Sequence, residues 1–337
     1  SGAREHALTW KLMKHQQDKP RKVYTIPGNA GCPHPVAIDT NDFNQIYGFC
    51  QSNEIELVVV GPEQPLADGI SDFLSSKGVA VFGPCQKASQ LEVSKIYAKE
   101  FMNRYSVATA DHWVAEEVSQ AYHLVDSLDG NCVIKYDGLA AGKGVIVCQN
   151  QAQAHEALSL IESRYGAKAK MVIEKRLVGR EVSVIGLCDG KDIQLLAPAC
   201  DHKRAYDGGR GPNTGGMGAL SYQDLLSKEE LELVHEQIID KTLTGIKKEN
   251  LNYCGFLYFG LMMTTRGPKL LEYNVRLGDP EASVVLTNLD NDLLPLIQAC
   301  MDQNIKSCQI DILKGYYLTV VLAARGYPNQ VKKNILL

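Results

Sequence analysis

The N-terminal part of the chain alternates short β-type runs with helical ones, and each β-type run ends in a Gly/Pro turn. VYTIPGN is read as a strand and loop, ELVVVGPEQP as a second and VAVFGP as a third, turning at Pro27-Gly28, Gly61-Pro62 and Gly83-Pro84. Helices are expected between them, near Asp42 to Gln51 and from Ala67 to Ser76. Strands alternating with helices predict a doubly wound parallel sheet, and in such sheets ligands sit outside the carboxyl ends of the strands. Taken singly, each of these turns is also a plain chain reversal. The opening SGAREHALTWKL reads as a glycine turn entering a helix without the strand that normally precedes it. A trimmed N-terminus is therefore expected.

Further along, the pattern changes. Helical periodicity runs from Ser94 through Tyr105, and the region from Ala108 to Glu174 holds a helix, the hairpin VIKYDGLAAGKGVIV, another helix and the strand MVIEK. That is enough for a small separate lobe. Antiparallel signals follow: EVSVIGLCDGKDIQLLA pairs two strands across Asp189-Gly190, a hairpin dipeptide. A helix near Lys228 to Thr244 is followed by GFLYFGLMMTTRGPKLLEYNVR, read as a hairpin turning near Gly267-Pro268, and YYLTVVLAARGYP begins one more strand. At 337 residues the chain is long for one core.

Composition limits the choice of partners. With Lys+Arg 35 against Asp+Glu 39 the net charge is -4, which gives no general attraction for nucleic acid or an anionic membrane. Hydrophobic residues at 45% contain no run of membrane-spanning length. The ten cysteines are scattered without a C-x-x-C pair or zinc spacing, so a reduced, cytoplasmic protein is expected. Cys132, Cys148 and Cys188 are expected to act as small apolar residues within strands. Neither H-E-x-x-H nor G-x-S-x-G occurs.

Any anion site must then be local, and two glycine loops qualify. VIKYDGLAAGKGVIV is not a Walker loop, because Gly138 and Gly142 are too close and Lys143 is followed by Gly144. It reads as a glycine-rich hairpin, either a flap over a ligand or a β-turn with solvated lysines. DHKRAYDGGRGPNTGGMGA places Asp201, Lys203, Asn213 and Thr214 around more glycines, suited to anion recognition or to a plain linker. In LLEYNVR, Glu272, Asn274 and Arg276 share one strand face and Leu271, Tyr273 and Val275 the other. A carboxylate and an amide oxygen are hard ligands suited to Mg²⁺, with Arg276 placed to neutralise phosphate or an oxyanion. The plain alternative is a solvated polar face. LGDPEAS beside it adds two carboxylates. Together these elements point to a nucleoside triphosphate.

The combination VIKYDGLAAGKGVIV, DHKR, GPNTGGMGA and LLEYNVRLGDPE closely resembles the phosphoribosylamine–glycine ligase family of the ATP-grasp superfamily. SGAREHA, PGNAG, VVVGPEQPLADG and QLEVSKIYAKEF match its N-terminal half in order, so the resemblance covers nearly the whole chain. It implies an α/β fold in which a doubly wound pre-ATP-grasp domain (residues 1–93) precedes an ATP-grasp α+β domain (94–305) with a flap lobe at about 108–172. Residues 306–337 would begin a C-terminal domain that continues in family members. It also implies a monomer or weak dimer acting on ATP, glycine and phosphoribosylamine with Mg²⁺ or Mn²⁺.

Residue by residue, the resemblance makes Lys95 and Lys135 the phosphate lysines and Gly142, Lys143 and Gly144 the flexible cover. Glu174, Lys175, Arg176 and Leu177 become the adenine hinge, with the Glu174 carboxylate on the adenine edge, and Glu181 the ribose ligand. Glu272 and Asn274 become the metal ligands. Lys203 and Asn213 are implied for ATP, and Arg276, Lys135 and Asn213 for catalysis. Gly28, Asn29, Ala30, Gly61, Pro62, Glu63, Asp201, Lys203, Thr214, Arg276 and Asp279 are implied for the other substrates. The sequence departs from the family's usual pattern at Gly2-Ala3, where two glycines are usual, and at Lys175, where a second glutamate is. It departs again at Val178 and Arg180, which replace acidic residues. The implied reaction is ATP-dependent ligation of glycine to phosphoribosylamine through glycyl phosphate. The rivals are another ATP-grasp carboxylate–amine ligase, against which DHKR and GPNTGGMGA argue, and an inactive nucleotide-binding homologue, against which Glu272, Asn274, Lys135 and Arg276 argue together. A nicotinamide dehydrogenase fits worse, because SGAREHA is not G-x-G-x-x-G.

Overall fold

A computed structural model describes residues 2–14, 21–140, 144–328 and 331. The N-terminal region contains α1 (Ala3–Lys14), α2 (Phe43–Ser52), β1 (Leu57–Val59), α3 (Glu63–Ala67), α4 (Ile70–Ser76), β2 (Ala80–Phe82) and α5 (Gln86–Val93). Strands β1 and β2 pair in parallel, Leu57 opposite Ala80. VYTIPGN is not a strand: Thr25 makes one isolated bridge to Pro35, and Pro27 has no amide with which to extend a ladder. The helix expected from Ala67 to Ser76 is two helices, broken where Gly69 takes φ +89°.

Helix α6 (Lys95–Arg104) leads into a lobe built from β3 (His112–Ala115), α7 (Val118–Ser127), β4 (Cys132–Tyr136), β5 (Val145–Val147), α8 (Gln151–Tyr165) and β6 (Met171–Lys175). Its sheet runs β3-β6-β4-β5. Period-two alternation sends Cys132, Ile134, Met171 and Ile173 into a core under α7 and α8. The opposite face therefore carries Lys135 and Glu174, turned toward the rest of the molecule.

The remaining chain forms β7 (Arg180–Cys188), β8 (Ile193–Leu195), β9 (Ala199–Asp201), β10 (Arg204–Tyr206), β11 (Arg210–Asn213), β12 (Gly218–Ser221), α9 (Lys228–Val234), α10 (Asp240–Lys248), β13 (Gly255–Thr264), β14 (Gly267–Asn274), α11 (Glu281–Asn288), α12 (Leu293–Met301) and β15 (Tyr317–Val320). The large sheet runs β14-β13-β7-β9-β12-β15, with β8 on β7. Strands β7 and β13 read as near-continuous apolar runs because both faces are covered. Val182, Val184, Leu257 and Phe259 pack with α5, α6 and α10 on one side. Ile185, Leu187, Phe256 and Tyr258 pack with α1, α11 and α12 on the other. A π turn (His235–Ile239) joins α9 to α10, so this helical stretch ends at Lys248, beyond the expected Thr244. The β13–β14 hairpin turns two residues earlier than expected, at Thr265-Arg266, since Thr264 pairs with Gly267 at φ +94°. No helix among the described residues is long and apolar enough to cross a membrane.

Candidate active site

The geometry is set by an irregularity in β14. Gly260 on β13 faces Glu272, but the next residue, Leu261, faces Leu270, so Leu271 is the extra residue of a bulge. The bulge corrects the expected alternation: Leu270, not Leu271, joins Tyr273 and Val275 in the core. Glu272, Asn274 and Arg276 keep a common side. A Cβ on Gly260 would lie 3.2 Å from Glu272 Cγ, so glycine there leaves the carboxylate room. Among the described residues neither the Glu272 carboxylate nor the Asn274 amide makes a side-chain hydrogen bond or ion pair. Burial alone would raise the Glu272 pKa, but Lys203, Lys95, Lys135 and Arg276 outweigh it and hold the group below its usual value.

Arg276 is fixed from two sides. One guanidinium nitrogen donates to Glu92 Oε1 at 2.7 Å, and Nε lies 3.3 Å from Glu63 Oε2. Glu92, 3% exposed, also accepts from the Val275 amide at 2.7 Å, and its backbone carbonyl accepts from Lys95 Nζ at 2.8 Å. One residue of α5 thus holds both Arg276 and Lys95. Burial raises the Glu92 pKa in spite of Arg276 and the Val275 amide. Glu63 reaches Arg4 at 3.5 Å, and the Arg4 amide donates to Asp279. A Cβ on Gly2 would sit 2.9 Å from Asp279 Oδ2, and Asn29 Nδ2 donates to the Gly2 carbonyl. The structure therefore gathers Asn29, Glu63, Arg276 and Asp279 at one margin. Gly28 takes φ +78° against Pro35, Gly61 packs on Glu5, Pro62 caps α3 and Ala30 is exposed.

On the lobe side, Glu174 is 2% exposed and lies 2.7 Å from Lys135 Nζ and 3.1 Å from Lys99 Nζ. Lys135 also donates to the Leu271 carbonyl at 2.7 Å, joining β4 to the bulge. Burial pushes Lys99 down to about 8 despite Glu174. Burial would raise Glu174, but Lys135 and Lys99 bring it below its usual value. Its carboxylate is thus engaged by two lysines. The hinge continues through exposed Lys175, whose amide donates to the Asp111 carbonyl, then Arg176 and Leu177. Gly144 is buried and its carbonyl accepts from the Tyr136 amide. Gly142 and Lys143 lie outside the described residues.

The third margin comes from β9 to β12. Lys203 Nζ lies 3.0 Å from Glu181 and 3.9 Å from Asp201. Burial pushes Asp201 up to about 7, with Glu281, Glu181 and Glu272 adding to the shift against Lys203. Thr214 binds the Lys203 carbonyl through its amide at 2.7 Å and its hydroxyl at 2.9 Å. A Cβ on Gly216 would meet Pro280 at 2.4 Å, so the glycine loop lies directly on the Asp279-Pro280 turn. Asn213 is exposed and pairs with Arg204, with no side-chain hydrogen bond among the described residues.

Comparison with known proteins gives the same frame. The phosphoribosylglycinamide synthetase N domain matches residues 1–92 and the ATP-grasp (A) domain of the same synthetase residues 93–282. The phosphoribosylamine–glycine ligase of Clostridium acetobutylicum is 40% identical over 97% of this chain and 80% of that relative. This chain belongs to the phosphoribosylglycinamide synthetase family. The Mesorhizobium japonicum ligase is 42% identical over 99% of this chain and 79% of its own length. The human trifunctional purine biosynthetic protein adenosine-3 is 42% identical over 99% of this chain, which spans 34% of it. The crystal structure of the Thermotoga maritima phosphoribosylamine–glycine ligase superposes with a TM-score of 0.79 at 34% identity, covering 98% of this chain and 81% of that one.

Within this synthetase-family frame, sequence reasoning missed Glu92, Lys99 and Arg4. Lys99 had a usable signal, since it lies four residues after Lys95 and so on the same face of a helix. Glu92 had none, because its partners Val275 and Arg276 come from a distant strand. Glu281, noticed in LGDPEAS, is 3% exposed and accepts from Ser183 and Tyr258 at 3.1 Å each.

Proposed function

We infer that the chain is a phosphoribosylamine–glycine ligase of purine biosynthesis: it joins glycine to 5-phosphoribosylamine, giving glycinamide ribonucleotide, ADP and phosphate. The observation that carries this reading is the 40% identity to a phosphoribosylamine–glycine ligase over 97% of this chain, in a fold where Lys135 ties the lobe to the bulge beside Glu272, whose carboxylate has no side-chain partner among the described residues and is held below its usual pKa by Lys203, Lys95, Lys135 and Arg276. Four cations around a site for a nucleoside triphosphate suit phosphoryl transfer, where positioning and charge neutralisation do most of the catalysis. No serine, cysteine or histidine nucleophile is needed.

Glycine's carboxylate attacks the γ-phosphoryl group, forming glycyl phosphate and releasing ADP. The amine of phosphoribosylamine then attacks the acyl carbon and phosphate leaves. In this reading Lys95 and Lys135 meet the ATP phosphates, and Gly142, Lys143 and Gly144 cover them and exclude water. The backbone from Lys175 to Leu177 takes the adenine edge. The Glu174 carboxylate, already bound to Lys99 and Lys135, serves to hold Lys135 in place. Glu181 takes the ribose. Arg276 stabilises the oxyanion, and Asn213 contributes to catalysis from the β10–β11 margin. Gly28, Asn29, Ala30, Gly61, Pro62, Glu63, Asp201, Lys203, Thr214 and Asp279 surround the acceptor and glycine.

Glu272 and Asn274 fit a divalent cation, Mg²⁺ or Mn²⁺. Both offer a hard oxygen left without a partner among the described residues. Among those residues no group of three or more His, Cys, Asp or Glu side chains could hold a metal by itself. That suits an ion completed by phosphate oxygens and water. Bound there, it would supply charge to the triphosphate.

The test is isotopic. Glycine labelled with ¹⁸O in its carboxylate should pass one labelled oxygen to inorganic phosphate in each turnover. Unlabelled phosphate would rule out the acyl phosphate and with it this mechanism.

A further inference from the structure

The flap motif contains one charged residue to which the mechanism gives no role. Asp137 follows β4, two residues beyond Lys135, where the chain enters the glycine loop. Its Oδ1 accepts from Ser94 Oγ at 2.9 Å and from the Ile96 amide at 3.1 Å. Ser94 is the N-cap of α6, and its hydroxyl oxygen accepts from the Tyr97 amide at 3.0 Å. A helix leaves its first amides without intrahelical partners. Here two of them are closed by a relay that ends on a carboxylate from another lobe, at the end of the helix where negative charge is favoured. Asp137 is held in turn, because its own amide donates to the Lys170 carbonyl at 3.0 Å.

The residue between the two α6 contacts is Lys95, and the strand that delivers Asp137 also delivers Lys135. We propose that Asp137 is a positioning residue that sets Lys135 and Lys95 relative to each other by latching the flap strand to the N-terminus of α6. The proposal rests on the reading of both lysines as phosphate ligands. The two ammonium groups already have separate anchors, Lys135 on Glu174 and the Leu271 carbonyl, Lys95 on the Glu92 carbonyl. Asp137 ties together the backbones beneath them. A second tie, Lys99 to Glu174, joins α6 to β6 about one turn further along, so removing Asp137 leaves the lobe attached. A latch of this kind acts on the geometry of the cation pair and hence on the nucleotide alone.

The experiment measures Michaelis constants for ATP and glycine, with thermal unfolding, in Asp137→Ala, Asp137→Asn, Ser94→Ala and Lys95→Ala. Losing a charge-assisted contact predicts an ATP constant raised roughly tenfold in Asp137→Ala, with the glycine constant within about twofold of wild type. Asp137→Asn keeps an acceptor oxygen and should recover most of the loss. Ser94→Ala breaks the relay from its other end and should move the same constant, so the split remains readable if Asp137→Ala does not fold. Combined with Lys95→Ala, the Asp137 effect should be much less than additive, because one residue acts through the other. An unchanged ATP constant in folded Asp137→Ala, equal movement of both constants, or full additivity overturns the latch. If Lys95→Ala itself leaves the ATP constant unmoved, the reading of the lysine fails instead.

Discussion

Glu174 on β6 and Glu272 on β14 are both strand carboxylates set among ammonium groups, and they end in different states. Glu174 is sealed from solvent and closed by Lys135 at 2.7 Å and Lys99 at 3.1 Å. Glu272 is half-buried and feels Lys203, Lys95, Lys135 and Arg276, yet none of them reaches it. Burying a charge costs several kcal/mol unless it is paired, so the first arrangement is what a fold needs in order to keep a carboxylate inside. The second is tolerable only with partial exposure and a surplus of cations, and it leaves oxygens available to something that arrives later. Lys135 connects the two: it pairs with Glu174 while its carbonyl contact is Leu271, the bulge residue beside Glu272.

The contrast is broken most directly on the open side. Glu272→Gln with Asn274→Ala should lower turnover by roughly a thousandfold or more, the scale of losing metal-assisted charge stabilisation. The unfolding midpoint should barely move, because neither side chain has a partner among the described residues to lose. Phosphate release at saturating Mg²⁺ within a few fold of wild type would contradict the difference drawn between the two glutamates.

On the closed side the effect moves to stability. Glu174→Ala strands Lys99 and Lys135 as unpaired buried charges and should cost about 3–5 kcal/mol in urea unfolding. A loss below about 1 kcal/mol would mean that water or rearrangement supplies the missing charge.

A third glutamate extends the comparison to pH. Glu5 is held at about 2: burial would raise it, but the Arg4 charge, the Arg4 hydrogen bond and the Gly2 amide lower it. Because the folded value lies below the unfolded one, its contribution is fully present above about pH 4.5 and is lost as pH falls toward 2. At 1.36 kcal/mol per unit this is on the order of 3 kcal/mol. Glu5→Gln should therefore flatten the acid limb of stability between pH 6 and pH 3. An unchanged limb would show that the pairing does not govern it.

The smallest effect concerns the third margin. Lys203 is pinned between Glu181 and Asp201 and is partly exposed. Lys203→Ala should cost about 1.5–3 kcal/mol in phosphoribosylamine use, and it should also raise the ATP constant, because Glu181, the proposed ribose ligand, loses its partner. A phosphoribosylamine constant left unmoved would remove Lys203 from the acceptor site.

What could be read from the sequence follows the range of the interactions. The helices beginning near Asp42 and Ser94, the lobe hairpin and the β13–β14 hairpin depend on neighbours in the chain, and they were legible. The polar alternation of Glu272, Asn274 and Arg276 was legible too, but not the bulge, which depends on how β13 registers against β14. VYTIPGN has strand-like composition, and composition does not supply a neighbouring strand; Thr25 finds a single bridge. The break at Gly69 needed the positive φ that only the fold reveals. Motif resemblance supplied the site residues, whereas the side chains that orient them, Glu92 and Lys99 above all, emerged from contacts between distant segments.

The central claim is that this site activates glycine with ATP for one acceptor. Phosphate release should be measured with ATP and Mg²⁺ in four mixtures: neither glycine nor phosphoribosylamine, each alone, and both together with the phosphoribosylamine freshly made. The account predicts sustained release only when both are present, with one glycinamide ribonucleotide formed per phosphate. Release that ignores glycine, or that proceeds at full rate without phosphoribosylamine, would contradict it.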